Sequence, residues 1–471
     1  MRYLVLISLV LILLMLSNIN TNAVKQSSKS SDSYDLVIIA PKEFSKLLSP
    51  LVKHKNNVGV KTILKTTDEI YRGYVGRDKP EQIKYFIKDA LETWGIKYVL
   101  LVGGMKTGRQ SWYVPVRYSN LDDRQDWDIR YISDLYYADI YKMDGDGKLV
   151  FDDWDSNGNN VFAEWNWDSS VKDVLDLYPD VCVGRLACRN LFEVRTVVKK
   201  IINYETRASS GSWFKNMIIA GGDTVPLDQD GVYEGEAITD LSSSYMRAIN
   251  FNITRLWVSD GSLKKSRDLV TAIRKGAGFV HISGHGTPLV WSTHPVDNDT
   301  IWMDLLFTFQ VRSIRNGEKL PIFIIGGCHN NMFDTSPFNI LRDFSKEGLS
   351  YFKSSEDESG SFWKFEWIPE CLGWRLVSCR NGGAIAAIGN TGLGFCYFGN
   401  YTLNGLAGWI EPKLFYEYSV NGVDILGELH TQVIRDYINE FDVHNDRSDC
   451  KTVQQWTLLG DPSLKIGGCT N

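Results

Sequence analysis

Two side chains in this sequence have the type and setting for nucleophilic chemistry: a thiol at Cys328 and an imidazole at His285. A cysteine becomes an acyl-transfer nucleophile when a neighbouring base takes its proton, and histidine is the common base. Each lies at the end of an apolar, β-branched run that closes in glycine. The runs are Phe279-Val-His-Ile-Ser-Gly-His285-Gly286 and Pro321-Ile-Phe-Ile-Ile-Gly-Gly-Cys328-His329. Continuous apolar runs read as buried parallel strands, and α/β folds place their chemistry just past the C-terminal ends of such strands. The glycines let a substrate backbone approach, and the amides of Gly286 and Cys328 are candidates for an oxyanion site. A cysteine taken alone is more often a small buried hydrophobe. The matched strand-glycine frame at both positions favours a dyad.

The elements that must position these groups follow from periodicity. His285 and Cys328 are 43 residues apart, with residues 300–309 reading as a helix between them. That β-α-β spacing makes their strands neighbours. The same alternation fills the chain. Strands are expected at 35–40, 58–64, 98–104, 136–140 and 180–185, and helices at 41–53, 81–94 and 191–207. The pattern restarts with strands at 217–223, 254–258 and 382–388 around the two bearing His285 and Cys328, and helices at 234–249, 266–275 and 423–441. The fold class is therefore α/β, with two successive subdomains of mostly parallel sheet flanked by helices. They span 34–207 and 208–471, divided at Ala208-Ser-Ser-Gly-Ser212. Residues 344–365 are polar and serine-rich and read as a surface insertion.

Asp223 ends the 217–223 strand in the same kind of position as His285 and Cys328. It is the candidate to set the imidazole tautomer, although an aspartate there equally serves as a cap or turn. Glu234 opens the next helix, where an acid is commonly a dipole partner and functionally can line a pocket for a basic side chain. His329 lacks the glycine frame. A metal site built from His281, His285, Cys328 and His329 is disfavoured, because four strand residues span about 13 Å. Gly389-Asn-Thr-Gly-Leu-Gly394 lacks the lysine of a phosphate-binding loop and the spacing of a dinucleotide fingerprint.

A second motif is Asp153-Trp-Asp155-Ser-Asn157-Gly158-Asn159, continuing to Glu164. It matches the calcium loop of the EF-hand, with oxygen side chains at alternate positions, a central glycine and a closing glutamate. No good helix precedes it, so the expectation is an isolated loop holding a structural calcium ion. The plain alternative is a solvated Asp/Asn-rich turn.

Composition narrows the class. The chain has 471 residues, 44% of them hydrophobic, enough for a sizeable core. The net charge of −6 and the lack of a basic arm argue against nucleic acid as a partner. Residues 1–23 read as a secretory signal: Arg2, an apolar stretch over 3–16, then Thr21-Asn-Ala23. Residues 24–33 read as a flexible leader. The expectation is a secreted monomer, or one tethered by an uncleaved signal, with no later membrane span. Export permits disulfides among the eight cysteines, with Cys450–Cys469 a candidate staple, and no CxxC is present.

On these residues the chain resembles the gingipain-type cysteine peptidases of a caspase-like clan. The resemblance rests on Ser283-Gly-His-Gly286, Ile325-Gly-Gly-Cys328, Asp180-Val-Cys-Val-Gly-Arg185 and Leu459-Gly-Asp-Pro-Ser-Leu464, and spans roughly residues 34–467. It implies a caspase-like catalytic subdomain in which Cys328 and His285 form the dyad and Asp223 orients the histidine. It makes Glu234 an acid in a pocket for arginine or lysine, with Ser283, Gly326 and Phe395 along the substrate cleft. The calcium loop, with Tyr136-Tyr-Ala-Asp139 upstream, is also similar to relatives. Gly326-Gly327 replaces bulkier residues, and Phe395 stands near where a pocket tryptophan is expected. The function implied is a secreted, calcium-stabilised cysteine endopeptidase acting on proteins or peptides. Alternatives are a non-catalytic binding protein on the same fold, or a transpeptidase using the same acyl-enzyme.

Overall fold

Ten strands form one sheet, apolar at its centre and more polar at its edges. They are β1 Leu36–Ala40, β2 Thr62–Thr66, β3 Tyr98–Val102, β4 Cys182–Leu186, β5 Asn216–Gly221, β6 Asn252–Trp257, β7 Phe279–Ser283, β8 Ile322–Gly326, β9 Ala386–Asn390 and β10 Trp456–Leu459. The computed structural model describes residues 33–122, 128, 130–208, 211–226, 231–353 and 360–469. Helices cover the sheet: α1 Ser45–Asn57, α2 Lys79–Trp94, α3 Leu191–Arg207, α4 Glu234–Ala248, α5 Ser266–Lys275, α6 Leu372–Ser378, α7 Leu406–Ser419, α8 Leu426–Glu440 and α9 Arg447–Gln455. β1, β7 and β8 are buried along their whole length. That is why they read as unbroken apolar runs.

The strand order is β6-β5-β7-β8-β9-β10-β4-β3-β1-β2. Every pair is parallel except β9 with β10. The sheet is therefore two parallel halves of opposite direction, joined at that one antiparallel seam. Strands from both expected subdomains, 34–207 and 208–471, share this one sheet within a single compact unit, Tyr34–Asn471. The last strand, β10, comes from the C-terminal end yet aligns with the N-terminal half, touching β4 at Leu459 and Arg185.

Two motifs of the resemblance turn out to be clamps. Arg185 is fully buried. Its guanidinium grips Asp134 through two bonds of 2.6 and 2.7 Å and donates to the carbonyls of Gly103, Val114 and Pro115. Asp461 pairs with buried Lys55 of α1 at 2.9 Å, and Lys55 also holds Glu205 of α3 at 2.7 Å. The C-terminal segment is thus tied to the N-terminal half by charges that would be costly to leave unpaired.

Several expectations are corrected. Residues 300–309 are not a helix: Met303–Phe307 is a strand in a small antiparallel sheet with His285–Gly286 and Val290–Thr293, followed by a 3-10 turn over Thr308–Ser313. A short apolar run cannot tell strand from helix by period alone, and this one finds a hairpin partner. Residues 136–140 are not a strand, since Asp134–Tyr137 forms a 3-10 turn. Among the described residues no disulfide is formed, and Cys450 and Cys469 lie in different surroundings, beside Lys172 and Glu205. The signal sequence at 1–23 and nearly all of the 24–33 leader lie outside the described residues. No helix among the described residues is long and apolar enough to cross a membrane.

Candidate active site

Four neighbouring strands, β5, β7, β8 and β9, deliver their C-terminal ends to one place. After β5 the chain turns through Asp223 and Thr224, after β7 comes His285, after β8 Cys328, and after β9 the segment to Gly394. β7 and β8 pair in parallel from Phe279–Ile322 to Ser283–Gly326, which sets His285 and Cys328 beyond adjacent strand tips. Thr224, Glu234, Ser283, His285, Cys328, Phe395, Cys396 and Glu411 line a single cavity of about 80 Å³.

The glycine frame acts through backbone-to-backbone contact. A side chain at Gly286 would place its Cβ 2.6 Å from the Cys328 carbonyl oxygen, and one at Gly327 would come within 3.0 Å of the His285 backbone. The two turns therefore pack directly against each other. Indole Nε1 of Trp291 donates to the Gly326 carbonyl at 3.1 Å, and Asn390 Nδ2 donates to that of Gly327 at 3.2 Å. The Gly286 amide faces the Cys328 sulfur and favours its thiolate.

The imidazole is held by a carbonyl. His285 Nε2 lies 2.8 Å from the Thr224 oxygen. A carbonyl only accepts, so Nε2 carries the proton and the neutral ring keeps its lone pair on Nδ1. Trp302, 58% exposed, and His294 pack against the ring at 5.0 and 5.3 Å between centroids. Burial lowers the His285 pKa, the Thr224 carbonyl opposes this, and the nearby His294 lowers it further. Burial pushes the Cys328 thiol up to about 11.

This corrects the role expected of Asp223. Its Oδ2 accepts from the Asp297 amide at 2.9 Å, and its carbonyl accepts from the His294 amide and the Thr293 hydroxyl. The group bonded to the imidazole is its neighbour's carbonyl, a backbone atom with no residue-type signature. Glu234 is also displaced from its expected role. Fully buried, it accepts from the amides of Thr224 and Val225 through Oε2 and from that of Gly399 through Oε1, each at 3.1 Å. It pins the loop that carries the Thr224 carbonyl. His329 sits apart, with Nε2 on Asp128 at 2.8 Å, and His281 bonds Glu411 at 2.9 Å. The histidines and Cys328 thus serve different partners and form no metal set. Phe395 lines the cavity beneath the Lys451 ammonium, 5.2 Å from its ring.

Sequence reasoning missed Thr224, Cys396 and Glu411. Glu411 carried a readable signal: it is a lone acid in the apolar run Leu406-Ala-Gly-Trp-Ile-Glu411.

The loop from Asp153 to Glu164 does not fit calcium. Arg77 lies in it, with Nη1 2.6 Å from Asp155 Oδ2 and Nη2 2.9 Å from Asp153 Oδ2. Asn157 and Asn159 oxygens accept from loop amides, and Asn159 Nδ2 donates to Glu164 at 2.6 Å. A guanidinium already supplies the positive charge. Beside the loop, carboxylate oxygens of Asp139, Asp152 and Asp176 converge within 4.8 Å of one another. Asp139 Oδ1 and Asp152 Oδ2 are buried with no hydrogen-bond partner among the described residues.

The model of peptidase family C25 matches residues 29–467. Gingipain R2 of Porphyromonas gingivalis is 20% identical over 305 residues, covering 63% of this chain and 32% of that protein. Gingipain R1 of the same species is 20% identical over the same share of this chain and 24% of its own length. The chain thus spans a third or less of the length of these curated relatives. Among solved structures, the complex of Porphyromonas gingivalis RgpB pro- and mature domains matches with a TM-score of 0.61 and 16% identity, over 92% of this chain and 79% of that one. The crystal structure of the Arg specific cysteine proteinase gingipain R matches with a TM-score of 0.60 and 16% identity, over 93% and 79%.

Proposed function

Because the chain belongs to peptidase family C25, a family of cysteine peptidases, we propose that it is a secreted endopeptidase that cleaves peptide bonds through an acyl-enzyme on Cys328. The observation that carries this reading is the convergence of Cys328 and His285, from adjacent strand tips, on one cavity. His285 Nδ1 takes the thiol proton while Thr224 keeps Nε2–H in place. The sulfur then adds to the scissile carbonyl. The resulting oxyanion is met by the amides of Gly286 and Cys328. On collapse, the proton on Nδ1 passes to the leaving amine. Water, deprotonated by the same nitrogen, then hydrolyses the thioester and restores the thiol.

The test is hydrolysis of fluorogenic peptides that differ in the residue before the scissile bond, with wild type beside Cys328→Ala. Cleavage that vanishes in the variant supports the thiol mechanism. Equal cleavage by both proteins contradicts it. No cleavage by folded wild type points to the non-catalytic reading, and product carrying an added amine points to transpeptidation.

The reading also includes a structural calcium ion, with Asp139, Asp152 and Asp176 as donors in place of the loop. Its support is the convergence of the three carboxylates, two of whose buried oxygens have no hydrogen-bond partner among the described residues, while Lys142 holds the other oxygen of Asp152 at 3.0 Å. Trp154 Nε1 donates to Asp139 at 2.7 Å, so bound terbium should emit on indole excitation. Emission that calcium displaces, and that Asp176→Asn loses, is expected. No emission from the folded protein would contradict the site.

A further inference from the structure

Glu411 is fully buried in α7, among Leu406, Ile410, Leu414 and Phe415. Its Oε2 accepts from His281 Nε2 at 2.9 Å, and its Oε1 has no partner among the described residues. A buried carboxylate oxygen left without a hydrogen bond is costly, and its retention calls for a physical reason. Glu411 lines the same cavity as Cys328 and His285. A Cβ at residue 326 would lie 2.3 Å from Glu411 Oε1. Glycine at that position is what lets the carboxylate rest against the strand tip that carries the nucleophile. The other acid of the cavity, Glu234, has both oxygens committed to the three amides described above.

We infer that Glu411, and not Glu234, reads the side chain that precedes the scissile bond, and that it selects lysine. The inference rests on the peptidase reading above. One observation favours lysine over arginine. Glu411 offers one open oxygen, because the other serves His281. A guanidinium fork wants both oxygens of a carboxylate, while an ammonium is a compact charge that one oxygen satisfies. In this account Glu234 is a positioning residue. It holds the Thr224 loop, and through the Thr224 carbonyl it holds His285.

The experiment measures kcat/KM for matched peptides with lysine, arginine or leucine before the scissile bond, in wild type, Glu411→Gln, Glu411→Asp and Glu234→Gln. Wild type should prefer lysine to arginine by about tenfold. Glu411→Gln should lose about 100-fold on lysine while leucine changes by less than about threefold. Glu411→Asp keeps the charge and should retain part of the preference, so it carries the test if the amide variant does not fold. Glu234→Gln should lower all three substrates alike, chiefly in kcat. A Glu411→Gln enzyme that keeps the lysine preference overturns the inference, as does selective loss of basic substrates in Glu234→Gln. A wild type that cleaves no peptide overturns the peptidase reading itself, a separate failure.

Discussion

A thiol pushed up to about 11 and an imidazole held below its ordinary value make a dyad that is neutral at rest. The proton then moves only once a substrate carbonyl and the oxyanion amides are in place. Alkylation of Cys328 by iodoacetamide, followed against pH, should therefore be slow at neutrality and still rising above pH 9. A plateau reached below pH 8 would mean a preformed ion pair. Activity should hold down to below pH 6.5, because a depressed His285 stays an unprotonated base at pH values where an ordinary histidine is charged. At this scale the sequence disclosed the thiol and the imidazole that meet at one cavity, because both stand at strand ends in a matched glycine frame. It did not disclose what holds them. The Thr224 carbonyl has no side-chain identity, and Asp223, a residue of the right type one step away, drew the role. Glu234 was legible as an acid in the right place but not as a ligand of three amides, since its partners come from residues 224, 225 and 399.

Elements were legible where burial followed a clear pattern, periodic in a helix or continuous in a strand. α3 spans Leu191–Arg207 as the spacing of Val194, Val197, Val198 and Ile201 requires, and the Asn190 side chain caps its first amides. The strands β7 and β8 are neighbours as their spacing implied. The crossover between them was misread as helical because its strand pairs only with local hairpin segments, a tertiary choice that periodicity does not encode. The motif ending in Arg185 was readable as a resemblance, and the structure gives its physical reason. Arg185→Met removes the partner of Asp134 and the donor to three carbonyls, so it should cost roughly 3–5 kcal/mol. Urea unfolding would check this, and a loss below about 1 kcal/mol would contradict the clamp.

The whole molecule is a sheet of two opposed halves closed by a strand that arrives last in sequence. Alternation revealed both halves. It could not reveal the seam, because pairing between residues 387–390 and 456–459 depends on contacts far apart in the chain. Near that seam, His430 donates to the Trp456 carbonyl at 3.1 Å, and burial pushes its pKa down to about 4. The unfolded chain takes that proton near pH 6.5, so the unfolded state binds more protons between the two values. Stability should therefore fall by about 3 kcal/mol as pH drops from 6.5 to 4. His430→Gln, which keeps a donor for the carbonyl, should flatten that part of the profile in urea melts. An unchanged slope would place the acid sensitivity elsewhere.

The central claim is that Cys328 is the nucleophile and His285 its base. The most direct measurement is reaction of the folded protein with a lysyl acyloxymethyl ketone, followed by intact-mass analysis and peptide mapping. The account predicts one adduct per chain, on Cys328 and not on neighbouring Cys396, and its loss in His285→Gln. An adduct on another cysteine, or undiminished labelling of Cys328 in His285→Gln, would contradict it.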